Sequence, residues 1–325
     1  GAWQAVHNIE AQSPFDVIQC GDWRGLAFLG VWPSKKTNCL LLRGQGLIAM
    51  YPAYMAKPGG RFQHLLERIC AKRADFVLAN SRYIADIYSS QFGVFPDRLG
   101  FLYRPYDLLN QIERVRPLSE DITVLYVGRI ENVHKGVDVL LDALTEVHAC
   151  LPSIRAKFIG RVVSSMDRRF QAFLKENRSW VIHYGPLDQQ AVFDHMRQSD
   201  ILVLPSRNEV AAGVLVEAQF CGLPQIATRS GGSPELVQEG ATGLLVDPDN
   251  SAALAEAIAK LCVSPDMRRR MGLRSQERAR CQFDIDATMS RYVSVLNALM
   301  EGRDPRIELQ RNQPESDHYD VRKMV

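Results

Sequence analysis

The sequence predicts an α/β protein made of two doubly wound domains in series. Two observations predict it. Short β-rich apolar runs alternate with stretches of helical apolar spacing, the pattern of parallel sheets covered on both faces. The alternation stops at a polar stretch, 107–120, which carries Pro117, and then restarts. At roughly 100–200 residues per domain, 325 residues suit about two domains, and a 46% hydrophobic content suffices for two cores.

The elements follow in order. FDVIQC (15–20) reads as a strand and so does 39–42, after Pro33 and a polar turn. Phe62, Leu65, Leu66 and Ile69 have helical spacing over 61–73. DFVLA (75–79) is a strand, and 81–92 a helix with Ser81 as its N-cap. A short strand, 99–103, closes the first block before Pro105. In the second block, strands are expected at 122–127, 156–160, 181–184, 201–205, 225–228 and 243–247. Helices are expected at 137–148, 168–176, 189–197, 213–221, 234–238, 251–262, 266–280 and 286–300. This sets domains at 1–116 and 117–285. The tail 302–325, charged and poor in apolar residues, is expected to be mobile.

Charge and cysteine usage narrow the function. Against 37 acidic residues stand 39 basic ones, a net charge of +2, and a dedicated nucleic-acid binder would carry a larger basic excess. The seven cysteines are scattered and form no C-x-x-C pair, which argues against a zinc ribbon, a redox dithiol or a disulfide scaffold and favours a reducing, cytoplasmic compartment. No apolar run reaches the ~18 residues of a membrane span; 26–32 and 201–205 have the length of buried strands. The start GAWQ shows neither the basic head nor the apolar region of a leader.

Three stretches can carry chemistry. In 205–249, Glu209 lies in the loop after a buried strand, where open α/β sheets bind ligands, and Glu217 lies eight residues on in the next helix. Glu209 suits a polyhydroxy ligand and Glu217 a ribose diol. The amides of Ala212, Gly213 and Val214 open that helix and suit a phosphate, and Gly213 lets a ligand approach the backbone. In VGRIENVHKG (127–136), Arg129 follows a strand and Lys135 precedes a helix. A cation at a helix N-terminus is unfavourable, so a bound anion is the expected partner, and the two cations can clamp a diphosphate. In GGSPE (231–235), two glycines and Pro234 make a tight strand-to-helix turn whose amides can line a pocket. The competing readings are a helix-end charge and a solvated position for the two glutamates, surface cations for Arg129 and Lys135, and a plain turn for the glycines.

Residues 121–300 resemble the carboxyl-terminal domain of a family 4 (GT4) retaining glycosyltransferase of the GT-B fold. The resemblance rests on the ordered set Gly128, Arg129, Lys135, Gly136; Pro205, Ser206, Glu209, Glu217, Ala218; Gly222–Pro224; GGSPE at 231–235; and GATGLLVDP from Gly240 to Pro248. LLERICAKRADFVLANSRYIAD (65–86) and FLYRPYD (101–107) resemble the amino-terminal domain. The resemblance implies two Rossmann-like domains, the first lacking about one βα unit, with the helix 286–300 packing back on it. It implies transfer of a sugar from a nucleotide-sugar donor without a metal or other cofactor. Glu209 would hold the donor sugar as the catalytic carboxylate, Arg129 and Lys135 the diphosphate, and Glu217 the ribose. Tyr184 and Gly185 would lie near the base, and the first domain would take a sugar, lipid-linked or small-molecule acceptor. Ala211 and Ala212 stand where the family has an aromatic residue and a glycine.

Other readings have weaker support. Asp247-Pro248-Asp249 matches a D-x-D metal site in form, but turn and capping roles explain it better. The arginines at 268, 269, 270, 274, 278 and 280 read as a solvated helix face, with weak peripheral membrane contact as the alternative. A nucleotide-sugar epimerase of the same fold would need acid/base residues that the first domain does not identify. A non-catalytic nucleotide-sugar-binding module is the remaining alternative.

Overall fold

The computed structural model describes residues 15–21, 39–44, 59–107, 121–163 and 166–310. Packing divides the chain into one unit of Gly1–Pro105 with Ile285–Val325, and another of Tyr106–Asp284. The division falls after Pro105, ahead of the boundary at 116 read from the sequence, because Tyr106 already pairs with Asp284 of the second unit. Residues 108–120 of the polar stretch, and the strand-like run 26–32, lie outside the described residues.

In the first unit, strands β1 (Val17–Gly21), β2 (Cys39–Gly44), β3 (Phe76–Ala79) and β4 (Leu99–Phe101) form a parallel sheet in sequential order, β1-β2-β3-β4. Helices α1 (Gly60–Arg73) and α2 (Arg82–Ser90) flank β3 in sequence. Ser81 caps α2, its hydroxyl accepting from the Ile84 amide at 3.2 Å.

Among its described residues, the second unit has six parallel strands and seven helices in strict alternation until its last two helices. They are β5 (Ile122–Val127), α3 (Val137–Cys150), β6 (Ile154–Ile159), α4 (Asp167–Glu176), β7 (Val181–His183), α5 (Gln189–Arg197), β8 (Ile201–Leu204), α6 (Gly213–Phe220), β9 (Gln225–Thr228), α7 (Ser233–Leu236), β10 (Gly243–Val246), α8 (Ser251–Cys262) and α9 (Pro265–Phe283). All-apolar sequences such as ILVL in β8 are buried along their whole length, as central parallel strands must be. The strand order is β10-β9-β8-β5-β6-β7. From β5 the chain winds outward through β6 and β7, then returns to the other side of β5 with β8. The β5 and β8 loops therefore lead to opposite sides of the sheet and leave a crevice at their carboxyl ends.

The chain then returns to the first unit as α10 (Ile285–Met300) and α11 (Pro305–Gln310). Val295 of α10 and Leu309 of α11 join Leu41, Phe76, Leu78 and Leu102 in one core. The tail expected to be mobile from 302 thus contains a packed helix, anchored by the burial of Pro305 and Leu309. The arginine-rich helix also needs correction. Arg278 is buried and donates to the carbonyls of Leu236 at 2.8 Å and Glu235 at 2.7 Å. Arg268 donates to Cys262 O at 2.7 Å and so caps α8. These two cations terminate helices; Arg269, Arg270, Arg274 and Arg280 are the exposed ones.

Candidate functional site

The crevice between β5 and β8 brings the loop 128–136 against the loop 205–212. The amides of Arg207 and Asn208 donate to His134 O at 2.8 and 3.2 Å. Gly136 adopts φ 60°, a left-handed conformation, and a Cβ there would run into the Pro205 carbonyl. Only glycine meets both demands.

Lys135 and Glu209 meet here. The Lys135 ammonium donates to Glu209 Oε2, and Ser206 Oγ approaches the same oxygen at 3.3 Å. Both side chains are mostly covered, at 20% and 12% exposure. This corrects the sequence argument for Lys135: in the free protein the cation near the N-terminus of α3 has a carboxylate as its partner, not a missing anion. Arg129 stands apart from the pair. Its guanidinium is half exposed and reaches Glu131 at 2.9 Å, so it is a salt-bridged surface cation at the crevice rim. Tyr126, buried in β5, donates its hydroxyl to Arg129 O at 2.6 Å and fixes the loop's start. Burial, followed by the carboxylates of Glu209 and Glu131, pushes the phenol pKa up, so it remains a donor.

The loop bearing Glu209 is held from behind by the end of β9. Thr228 Oγ1 donates to Ser206 O, Ser230 Oγ to Arg207 O at 2.7 Å, and Gly232 N to Glu209 O at 2.9 Å. A Cβ on Gly231 or Gly232 would strike the carbonyl of Glu209 or Val210. The glycine pair therefore serves the close approach of two backbones, and the Gly232 amide read as a pocket lining is already bound to Glu209 O.

Arg207, passed over in the sequence, is the strongest anchor. It forks onto Asp138 at 2.7 and 2.9 Å, reaches Asp249 at 2.5 Å, and donates to Asn132 O. Burial pushes the Asp138 carboxyl up, but the Arg207 hydrogen bonds and charge outweigh it and hold its pKa below the ordinary value. Asp249 is thus an arginine partner at φ 62°, and Asn250 caps α8 through Ala253 N at 2.9 Å. Among the described residues no group of three or more metal-ligating side chains exists.

Helix α6 opens onto the same crevice. Ala212 at its N-cap has no side chain to satisfy the first amides, so Gly213 and Val214 present the helix N-terminus without a cap. Gly213 meets a neighbour the sequence did not suggest: a Cβ there would lie 3.0 Å from the Tyr106 hydroxyl, so the missing side chain makes room for Tyr106. Glu217 sits one turn into α6, half buried. Tyr184 and Gly185 lie at the end of the edge strand β7, away from the β5–β8 pair in strand order. The Tyr184 ring leans on His195, 4.2 Å between centroids, and Gly185 O accepts from Gly160 N at 2.8 Å.

The partial positive charge of an uncapped helix start, the Lys135–Glu209 pair and a rim arginine in one crevice can receive a diphosphate and a hydroxylated ligand together. Comparison with known proteins identifies the family and the fold. The family model of glycosyl transferases group 1 matches residues 110–278. An uncharacterized 41.2 kDa protein from the cps region of Klebsiella pneumoniae is 31% identical over 200 residues, 59% of this chain and 53% of its own length. A D-inositol 3-phosphate glycosyltransferase of Streptomyces bingchenggensis is 29% identical over 251 residues, 70% of this chain and 54% of its own. The structure of HepE from Anabaena in complex with UDP superposes with a TM-score of 0.79 at 20% identity, covering 91% of this chain and 81% of that one, and shows the shared fold. This chain spans about half the length of these curated relatives. Its two parallel sheets, its crevice and the family match together place it: the chain belongs to the glycosyl transferases group 1 family, with the two Rossmann-like domains of the GT-B fold.

Proposed function

We propose that the chain transfers a sugar from a nucleotide-sugar donor to an acceptor, with retention at the anomeric carbon and without a metal. The observation that carries this reading is the Lys135–Glu209 pair beside the uncapped start of α6. A donor diphosphate laid on the amides of Ala212, Gly213 and Val214 competes with Glu209 for Lys135. Lys135 then neutralises the phosphates, with Arg129 closing from the rim, and Glu209 is released to bind sugar hydroxyls. As the glycosidic bond breaks, negative charge grows on the leaving diphosphate, where the helix start and Lys135 stabilise it. These cations supply the charge that a metal ion would otherwise bring. Glu217 binds the ribose, and Tyr184 and Gly185 border the base. The family relatives named as glycosyltransferases and the neighbour solved with UDP support a uridine nucleotide as the first donor to try. The first unit takes the acceptor.

The test is a proton NMR assay of UDP-glucose turnover with a panel of sugar, inositol and lipid-linked acceptors. An α-configured product from the α-linked donor, abolished in Glu209→Gln, bears the reading out. A β product rules out retention. Donor binding without any product is the behaviour of a binding module.

A further inference from the structure

Among the described residues, the first unit carries an arginine without a carboxylate partner that the donor site does not use. Arg43 is the fifth residue of β2, at its carboxyl end, and Arg104 follows β4. Both lie at the carboxyl edge of a parallel sheet, the edge at which such sheets bind ligands. Leu41, two residues before Arg43, belongs to the core with Val295 of α10. Alternate residues share a face of a strand, so Arg43 leaves the sheet towards α10. Its guanidinium carbon lies 5.4 Å from the Tyr292 ring centre, while the Tyr292 hydroxyl is engaged by Gln19 of β1. Arg43 Nη1 is shut off from solvent and has no hydrogen-bond partner. Burial, together with the charge of Arg104, lowers the Arg43 pKa against the opposing effect of Tyr292.

A guanidinium cannot shed its charge at any physiological pH. Holding one under cover, beside a second cation and with a ring face for company, is unfavourable unless an anion completes the group. Among the described residues no carboxylate does so. We propose that Arg43, assisted by Arg104, is an anion-binding site for one phosphate or carboxylate group of the second substrate. The planar fork of Arg43 suits either group in bidentate fashion. Calling that substrate the acceptor rests on the glycosyl-transfer reading; the anion site itself does not.

The experiment measures thermal unfolding of the full chain in inorganic phosphate against chloride of equal ionic strength. Lys135→Ala is the background, so that the second unit's clamp does not contribute. Phosphate is expected to raise the melting temperature above the chloride control, and adding Arg43→Gln is expected to abolish that rise. Without phosphate, Arg43→Gln on its own is expected to melt no lower than the parent, because a costly charge is gone. A phosphate shift that survives Arg43→Gln, the absence of any shift over chloride, or a lower melting point of Arg43→Gln without phosphate would overturn the proposal. A UDP titration of Arg43→Gln separates the two readings: UDP binding is expected to persist, and its absence from both this variant and the wild type defeats the donor site while the phosphate result still decides the anion site. With turnover in hand, myo-inositol 1-phosphate, glucuronate and myo-inositol distinguish the anion's source. The preferred anionic acceptor should exceed the neutral one at least tenfold in kcat/KM, and Arg43→Gln should erase the preference. An equal or better neutral acceptor contradicts it.

Discussion

Lys135 and Glu209 are 74 residues apart in the chain and share one proton-donating contact in the crevice. Removing either partner has a different consequence. Lys135→Ala leaves a mostly covered carboxylate without its cation, which should cost about 1–3 kcal/mol in denaturant unfolding. Glu209→Gln keeps the side-chain shape and a hydrogen-bonding oxygen, so stability should change little while turnover falls by about 10²–10³. Equal stability losses in the two variants would contradict this assignment. Both residues were legible as candidates, because a lysine before a helix and a glutamate after a buried strand are local patterns. Their pairing was not, because nothing local says that the β5 and β8 loops become neighbours. For the same reason Arg207 escaped notice: its partners Asp138 and Asp249 lie 69 and 42 residues away. The Tyr106 hydroxyl against Gly213 likewise joins distant segments.

At the level of elements, the strand-to-helix turns hold the site, and glycines hold the turns. Gly136 and Gly240 both have positive φ, at 60° and 75°, but only Gly136 faces a backbone carbonyl. Gly240→Ala should therefore cost only the left-handed backbone term, about 1–2 kcal/mol, whereas Gly136→Ala should cost more and weaken nucleotide binding as well. Melting curves of the two variants decide it; equal losses would mean that the Pro205 contact is relieved cheaply. The fork of Arg207 onto Asp138 ties the start of α3 to the loop after β8. Asp138 has a lowered folded pKa, so its contribution is complete above the unfolded value near pH 4 and is lost as pH falls through the folded value. Asp138→Asn should lower stability across the neutral and alkaline range and flatten that acid limb, so that the two proteins converge as pH falls. Element type was readable almost throughout, since alternation and caps such as Ser81 are local. Helix ends were less so, and α11 was missed because six residues with one buried leucine give no periodic signal.

The whole molecule is two units of unequal continuity. Tyr106–Asp284 is one unbroken segment, whereas the other unit is assembled from two separate segments. Residues 106–284 alone should fold cooperatively and bind the nucleotide with roughly the affinity of the full chain. Leu309→Ala should destabilise the first unit by about 2–5 kcal/mol while leaving nucleotide affinity intact. Two domains in series were visible in the restart of the β/α alternation. That the helix 286–300 returns to the first unit came from family resemblance, since an amphipathic helix does not reveal which sheet it covers. The central claim is that the donor diphosphate binds at the β5–β8 crevice through Lys135 and the start of α6. Isothermal titration of UDP into the wild type, Lys135→Ala and Glu217→Ala tests it most directly. The account predicts saturable binding to the wild type and at least about tenfold weaker binding to each variant, a loss of about 1.4 kcal/mol or more. Undiminished binding to both variants, or none to a folded wild type with UDP, GDP or ADP, would contradict it.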